Sequence, residues 1–482
     1  MLLSKQISGP LRNSLHVLKN LSSSKYFKGA ALISLGTVLG QVVLMGITVL
    51  FLKDIYTPDV FGVQANLISI SFILSYVATL KMESAIPLSK GEDKYKVLGI
   101  ALISVVVISI VVVVICLGIN IYPEFRNYLG VSVLIMGCYN VFRAWNLDHE
   151  KFRNVGLSNF LRPFFQAILQ LCLGLILINK YDGLIYGFLI AYAISVIVLL
   201  WSVKLEKKRV FSKAEYIEQI IIHKQIPLYN LPAVLITTLG TNFVPVILTI
   251  LYSTNVTGQY GMLASTVGFP LGLVGAAVAQ VFFPRVAKID DLEGRRRLVE
   301  RSIIYLYGIS FLFFIPVIFY SKPIILAVLG KQWSLTAEFA GVMSISYLFS
   351  MVSSPISSYA LVSKNQKTAT VITIVETITR FIVLYLGYYF LNSPMLSISL
   401  YAIACTIIYI YYINWILRLL NSSLIDFIKR NIGYFRYDLL FVIIVLTAQY
   451  FGGTSYAVLI FIVAFVFIMI DKFKFLKYRY LS

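Results

Sequence analysis

Apolar stretches of about twenty residues, each long enough to cross a bilayer as a helix, follow one another along most of the chain. Fourteen can be delimited, near 30–52, 60–80, 97–119, 127–147, 157–178, 183–203, 227–252, 257–284, 302–320, 336–360, 368–391, 396–417, 438–451 and 455–470. The last two are shorter than the rest. The pattern predicts an all-α integral membrane protein of about 14 transmembrane helices.

Composition and charge refine this picture. Of 482 residues, 59% are hydrophobic and 13% charged, against about 25% charged in a soluble domain. The net charge of +20 would suggest nucleic acid in a soluble protein. Here a membrane origin suffices, because Lys and Arg are retained in cytoplasmic loops, and no nucleic-acid partner is expected. With the N-terminus inside, and residues at helix ends counted with their loops, alternate loops hold 35 and 5 of the 41 basic residues, and Arg380 alone lies within a helix away from both membrane faces. Both termini are therefore expected on the cytoplasmic side. The connections 53–59, 120–126, 179–182, 253–256, 321–335, 392–395 and 452–454 should face outward. The basic N-terminal segment, with Lys5, Arg12, Lys19, Lys25 and Lys28, lacks the compact apolar core and cleavage site of a signal peptide. The four cysteines, Cys116, Cys138, Cys172 and Cys405, lie in apolar runs with no CxxC pair, so neither a disulfide framework nor a metal site is expected. No cofactor motif is visible.

An internal repeat organises the helices. Leu35-Gly36-Thr37 in the first is matched by Leu239-Gly240-Thr241 in the seventh, and "DVFGVQAN" at 59–66 by "NVTGQYGM" at 255–262. Each block holds six helices, an even number, so the repeats would run in parallel about an axis along the membrane normal. The expected domains are a basic N-terminal segment 1–28, an N-lobe 29–203, an amphipathic cytoplasmic linker 204–225, a C-lobe 226–418, and two further helices with a basic tail at 419–482. In the eighth helix Gly268, Gly272, Gly275 and Ala279 lie close to one face, beside Pro270. Such a stripe suits close helix packing first, and a bend second.

The segments "IPLYNLPAVLITTLGTNF", "NVTGQYGM" and "VGAAVAQVFFPR" in the second half, and Lys81-Met82-Glu83-Ser84-Ala85 in the first, resemble the signature of bacterial polysaccharide-biosynthesis flippases. "LGKQW" at 329–333 is similar to their Gly-x-x-Trp element. The resemblance spans roughly residues 28 to 420 and implies the fold of the multidrug/oligosaccharidyl-lipid/polysaccharide exporter superfamily, two six-helix lobes in a V with a pseudo-two-fold axis. It further implies movement of an undecaprenyl-pyrophosphate-linked oligosaccharide to the outer leaflet of the cytoplasmic (inner) membrane, for O-antigen, capsule or exopolysaccharide synthesis. Membrane lipids, a polysaccharide polymerase and a chain-length regulator are its implied partners. The two extra C-terminal helices resemble the plan of the peptidoglycan-precursor flippases.

A pyrophosphate calls for cations or helix N-termini in a partly dehydrated cavity, and a sugar calls for amides and hydroxyls. The candidates inside helices are Gln41, Arg143, Arg162, Gln166, Gln170, Asn242, Glu376 and Arg380. Arg162, Gln166 and Gln170 share one helical face, where they could equally be interhelical hydrogen-bonding groups. Lys81 and Arg285 stand at matching helix ends, where they would gather an anionic headgroup at the cytoplasmic mouth. Arg295, Arg296 and Arg297 then serve orientation and lipid contact. Two other classes compete. A cation-coupled multidrug antiporter of the same superfamily needs an intramembrane carboxylate. The first helix has none, and Glu376, deep in a helix, has Arg380 four residues on. A polymerase or ligase is disfavoured by short outer loops and by the absence of a nucleophile–base–acid set, so the chain reads as a transporter and not an enzyme.

Overall fold

The computed structural model describes residues 25–118, 126–201, 203, 212–451 and 453–476. The N-terminal segment to residue 24, most of the outward connection 120–126, the linker stretch 204–211 and the tail from 477 lie outside the described residues. The described residues are helical throughout, without a strand. The long elements are α1 (Lys25–Ile47), α2 (Pro58–Thr79), α3 (Asp93–Gly118), α4 (Arg126–Asp148), α5 (Phe152–Ile176) and α6 (Lys180–Leu200). The linker supplies α7 (Lys213–Ile222), followed by α8 (Leu231–Asn242), α9 (Val244–Leu251), α10 (Thr254–Thr266) and α11 (Phe269–Ala287). Then come α12 (Leu292–Leu329), α13 (Ser334–Ile356), α14 (Gln366–Leu391), α15 (Pro394–Arg418), α16 (Leu424–Arg430), α17 (Asp438–Phe451) and α18 (Gly453–Leu476).

Among the described residues ten helices are long and apolar enough to cross a membrane, and eleven if the pair α8–α9, bent by 54°, forms one span. The expected stretches 127–147, 257–284 and 455–470 are helical too, as α4, α10 with α11, and α18. Apolar side chains lie on the outside of these helices: Ile103, Val107, Ile110 and Val114 form an exposed row along α3, which suits lipid contact.

Prolines set the irregularities. Pro245 follows the α8–α9 break at Phe243, where its ring displaces the carbonyl one turn back. Within α12 the non-helical Tyr320 precedes Pro323. That helix runs on to Leu329, through a stretch expected to be a loop. The eighth span is divided at Val267 and Gly268, just before Pro270. The packing expectation for the small residues is not met at Gly272 and Gly275. A side chain at Gly272 would meet nothing within 4 Å and one at Gly275 would meet Ser354 Oγ at 3.9 Å, so these two make no tight contact with a neighbouring helix, whereas one at Gly268 would fall 2.6 Å from the Ala264 carbonyl of the preceding turn.

Two compact units emerge. Unit 1 holds residues 1–269 with 321–340 and 373–401, and unit 2 holds 270–320, 341–372 and 402–482. In unit 1, α1 and α5 run parallel in backbone contact. Gly29 faces the Phe152 ring, Gly36 the Gly156 carbonyl, and Gly40 the Pro163 ring. The core of α2 to α6 is apolar, built around Leu67, Met136, Trp145 and Phe188.

The two repeats meet within unit 1 at α2 and α10. A Cβ on Gly62 would fall on the Thr254 carbonyl, and a Cβ on Gly258 on the Pro58 carbonyl. The contact is reciprocal, each glycine resting on the residue four positions before the other, which is the form a two-fold relation imposes on an interface. Asp59 reinforces it, accepting from Thr254 Oγ1 (3.2 Å) and Asn255 Nδ2 (2.9 Å). In unit 2, Phe282, Ile303, Leu417, Phe427 and Tyr434 form the core.

Candidate functional site

In α5 the polar stripe faces α6. Arg162 donates from Nη1 to the Tyr192 hydroxyl (3.1 Å), and its guanidinium lies 5.2 Å and 4.8 Å from the Tyr139 and Tyr192 ring centres. Gln170, 2% exposed, donates to the Leu184 carbonyl at 2.9 Å. Gln166, between them, is half-buried and forms no hydrogen bond with the described residues. The same holds for Gln41 on α1 and for Arg143 on α4. The residue that ties α5 to the first repeat motif is Asn159, which donates to Thr37 Oγ1 and accepts from the Tyr139 hydroxyl, each at 2.8 Å.

The second repeat motif is held in a matching way from α14. Arg380, 7% exposed, donates from Nη1 to the Gly240 carbonyl at 2.6 Å. Its Nη2 is paired with Glu376 Oε1, and the Tyr401 ring centre lies 5.8 Å away. The approach of α14 to α8 is close enough that a Cβ on Gly240 would meet Thr377. Asn242 is engaged locally, donating to Thr238 O (3.3 Å) and Thr241 Oγ1 (2.8 Å).

Of the two helix-end cations, Lys81 lies in unit 1 and Arg285 in unit 2. Lys81 follows α2 in the left-handed region, φ 59°. Its Nζ is 2.9 Å from Glu83 Oε1 and 4.6 Å from the Tyr76 ring centre. Arg285 is exposed on the last turns of α11.

Sequence reasoning missed the first of two further polar clusters and, in the second, named Gln259 and the Gly-x-x-Trp element without their partners. In unit 2, Lys472, 2% exposed, lies 2.8 Å from Asp438 Oδ1 and donates to the Tyr434 carbonyl at 2.9 Å. The rings of Tyr307, Phe311, Tyr434 and Phe435 surround it, with centres 4.1 to 5.6 Å away. Read by position, Asp438 and Lys472 are helix-end charges, and their distance along the chain carries no pairing signal. In unit 1, Gln259 accepts from the Thr336 backbone NH at 2.9 Å and donates to Gln332 O at 2.7 Å. Trp333, in the Gly-x-x-Trp element, is fully buried against Phe61 and donates from Nε1 to Lys53 O at 3.3 Å. No group of three His, Cys, Asp or Glu side chains suited to a metal occurs among the described residues.

The family model for polysaccharide biosynthesis proteins matches residues 55–338, more than half of the chain and from the first repeat into the second. Among solved structures, the lipid II flippase MurJ in an inward closed conformation superposes with a TM-score of 0.72 over 94% of this chain and 100% of its own, at 14% identity. An inward-facing multidrug resistance MATE family transporter of the MOP superfamily gives 0.58 over 81% of this chain and 98% of its own, at 12% identity. A MOP superfamily transporter from Pyrococcus furiosus gives 0.54 over 84% and 98%, also at 12%. At these identities the likeness is one of fold. No curated protein sequence matches the chain significantly. A multi-pass helical architecture of the MurJ and MATE kind and a family match that runs from the first repeat into the second lead to one conclusion: the chain is a multi-pass membrane protein that belongs to the polysaccharide biosynthesis protein family.

Proposed function

We propose that the protein is a flippase that carries an undecaprenyl-pyrophosphate-linked oligosaccharide from the cytoplasmic to the outer leaflet of the inner membrane, for O-antigen, capsule or exopolysaccharide assembly. The two lobes, 29–203 and 226–418, alternate access to a site between them, with both termini cytoplasmic. A polymerase and a chain-length regulator use the product.

The observation that carries this reading is the sign of the charge inside the helices. Glu376 is paired with Arg380, whereas Arg143 is half-buried and has no carboxylate partner among the described residues. Such an interior favours an anionic headgroup over a cationic drug. Gln41, Gln166 and Arg143 are the polar groups left available to a sugar or a phosphate. The test is a vesicle assay with a fluorescent polyprenyl-pyrophosphate oligosaccharide, read by its accessibility to an external lectin. Translocation by the purified protein supports the flippase. Proton- or sodium-driven efflux of cationic drugs, with no movement of the lipid, would establish the antiporter instead.

A further inference from the structure

The segment 330–336, at the entry to α13, reaches both repeats with its hydrogen bonds. Gly330 holds φ 94°, a conformation that glycine adopts without strain. The turn it makes sends Gln332 and Trp333 toward the end of the first span, Lys28–Ile55. There the Lys53 carbonyl lies in a last helical turn, where the helix itself supplies no donor. Trp333 Nε1 donates to it at 3.3 Å, and the Gln332 side-chain amide donates to the same oxygen. Behind the turn, the Gln259 side chain of α10 holds both the Gln332 carbonyl and the Thr336 backbone NH. One short turn of the second repeat is therefore bonded to α10 on one side and to the first repeat on the other.

Deeper in the crossing of α2 and α10 lies a group that opposes closure. Asn66 of α2 is fully buried. Its Nδ2 donates to Thr249 Oγ1, in the second repeat, at 2.7 Å, while its Oδ1 has no hydrogen-bond partner among the described residues. A buried oxygen without a donor is unfavourable, and contact with water relieves it. Bonds at the rim thus hold the repeats together, and an unsatisfied amide behind them favours parting and hydration. A seam that never opened would be better served by an apolar side chain at this position.

We infer that the 330–336 turn is a releasable latch: it closes the crossing of α2 and α10 in this state and leaves the Lys53 carbonyl once in each transport cycle, when water reaches Asn66. Resting on the alternating-access reading above, the latch identifies which contacts part. Gln332 is exposed and exchanges its bond with water readily. Trp333 is fully buried against Phe61 and has to withdraw its ring, so the tryptophan sets the strength of the latch.

The test uses the purified full-length protein in a background free of native cysteines, with Ser69→Cys as the reporter. Ser69 is 5% exposed and lies two turns beyond Gly62 on the same face of α2. A charged thiol reagent reaches it when the crossing opens. In detergent both ends of the protein are accessible, so the result does not depend on orientation. Gln332→Ala should raise the modification rate about fivefold, the equivalent of one hydrogen bond of about 1 kcal/mol, and Trp333→Phe should raise it at least as much. Asn66→Leu, which removes the unsatisfied oxygen, should lower it, because Thr249 keeps its bond to Thr257 at 2.7 Å. A control reporter, Ser132→Cys, fully buried in α4, should react at one rate throughout. In vesicles, joining Lys53→Cys to Gln332→Cys with a reducible thiol cross-linker should abolish translocation, and reduction should restore it. Unchanged Ser69→Cys rates in both latch variants, an equal rise at Ser132→Cys, or full translocation with the cross-link in place would overturn the latch. An undiminished rate with Asn66→Leu would overturn the opposing role of that amide. A protein that moves no lipid even before cross-linking counts against the flippase reading instead, and the Ser69→Cys rates then decide the latch by themselves.

Discussion

At Arg380 a single side chain joins two helices, neutralises a half-buried carboxylate and touches the repeat motif at Gly240. Removing it leaves Glu376 uncompensated, and breaking a buried pair costs about 3–5 kcal/mol. Arg380→Ala should therefore lower Tm and membrane level together, and a loss of export in that variant alone would say little. The informative variant removes both charges. Glu376→Gln/Arg380→Gln should recover most of the stability, while export stays low if the arginine meets the pyrophosphate in transit. Recovery of export with stability would make the pair purely structural. The helix ends give a second comparison. Arg285 is exposed, with no ion pair among the described residues, whereas Arg296 lies 3.8 Å from Glu293. Charge removal at Arg285 should reduce export well below that of Arg296→Gln at equal protein level, and equal mild losses would reduce Arg285 to a topology charge.

The element that concentrates the fold is the crossing of α2 and α10. Neither Gly62 nor Gly258 can carry a Cβ without pushing a carbonyl of the other helix, so a leucine at either position must part the helices. Gly62→Leu and Gly258→Leu should each abolish export, and each should expose a cysteine placed at Asn255 to water. Export near wild type in both would mean that the crossing is dispensable. Another element-scale device joins the end of α7 to the segment that follows α2. His223 Nε2 lies 3.1 Å from Ser89 Oγ, and burial lowers the histidine pKa below its ordinary value, against a smaller opposing pull from Asp93. The unfolded chain then binds the proton more readily, so stability is present above about pH 6.5 and declines as pH falls through that value. A Tm that drops between pH 7 and pH 5, less so in His223→Gln, is the expected result. An unchanged pH slope in that variant would dismiss the clasp.

For the whole molecule, orientation and driving force each make a measurable prediction. Exposed positions on opposite expected faces are Asn392 and Lys364. Cysteines placed there, in a background free of native cysteines, should react with an impermeant reagent at 392 and not at 364. The reverse order would invert the topology. A membrane that is negative inside favours outward movement of an anion by about 2.3 kcal/mol per charge per 100 mV. The emptied, net-cationic site would be drawn back by the same field. Collapsing the potential at constant pH and sodium should slow translocation in vesicles, and undiminished transport at zero potential would reject a voltage-driven cycle.

The succession of apolar runs determined the helices of this protein, because in a bilayer backbone polar groups must be satisfied within the segment itself. That is why spans such as 60–80 and 368–391 could be read from the chain to within a few residues. The repeat was legible for a related reason. The glycines at 36, 62, 240 and 258 mark close approaches that no larger residue permits, so the letters survive at matching places in both halves. What those glycines touch was decided by tertiary structure. The chain alone does not say that Gly62 rests on Thr254, that Arg380 reaches the Gly240 carbonyl, or that Arg162 and Gln170 turn toward α6. A one-dimensional pattern gives the face of a helix but not its neighbour. The breaks beside Pro245 and Pro323 escaped it as well, since a proline permits a bend without requiring one. Charges were the least legible. Asp438 and Lys472 are ordinary loop-end residues in sequence. Folding places them in contact, because electrostatic energy depends on distances that only the folded chain defines.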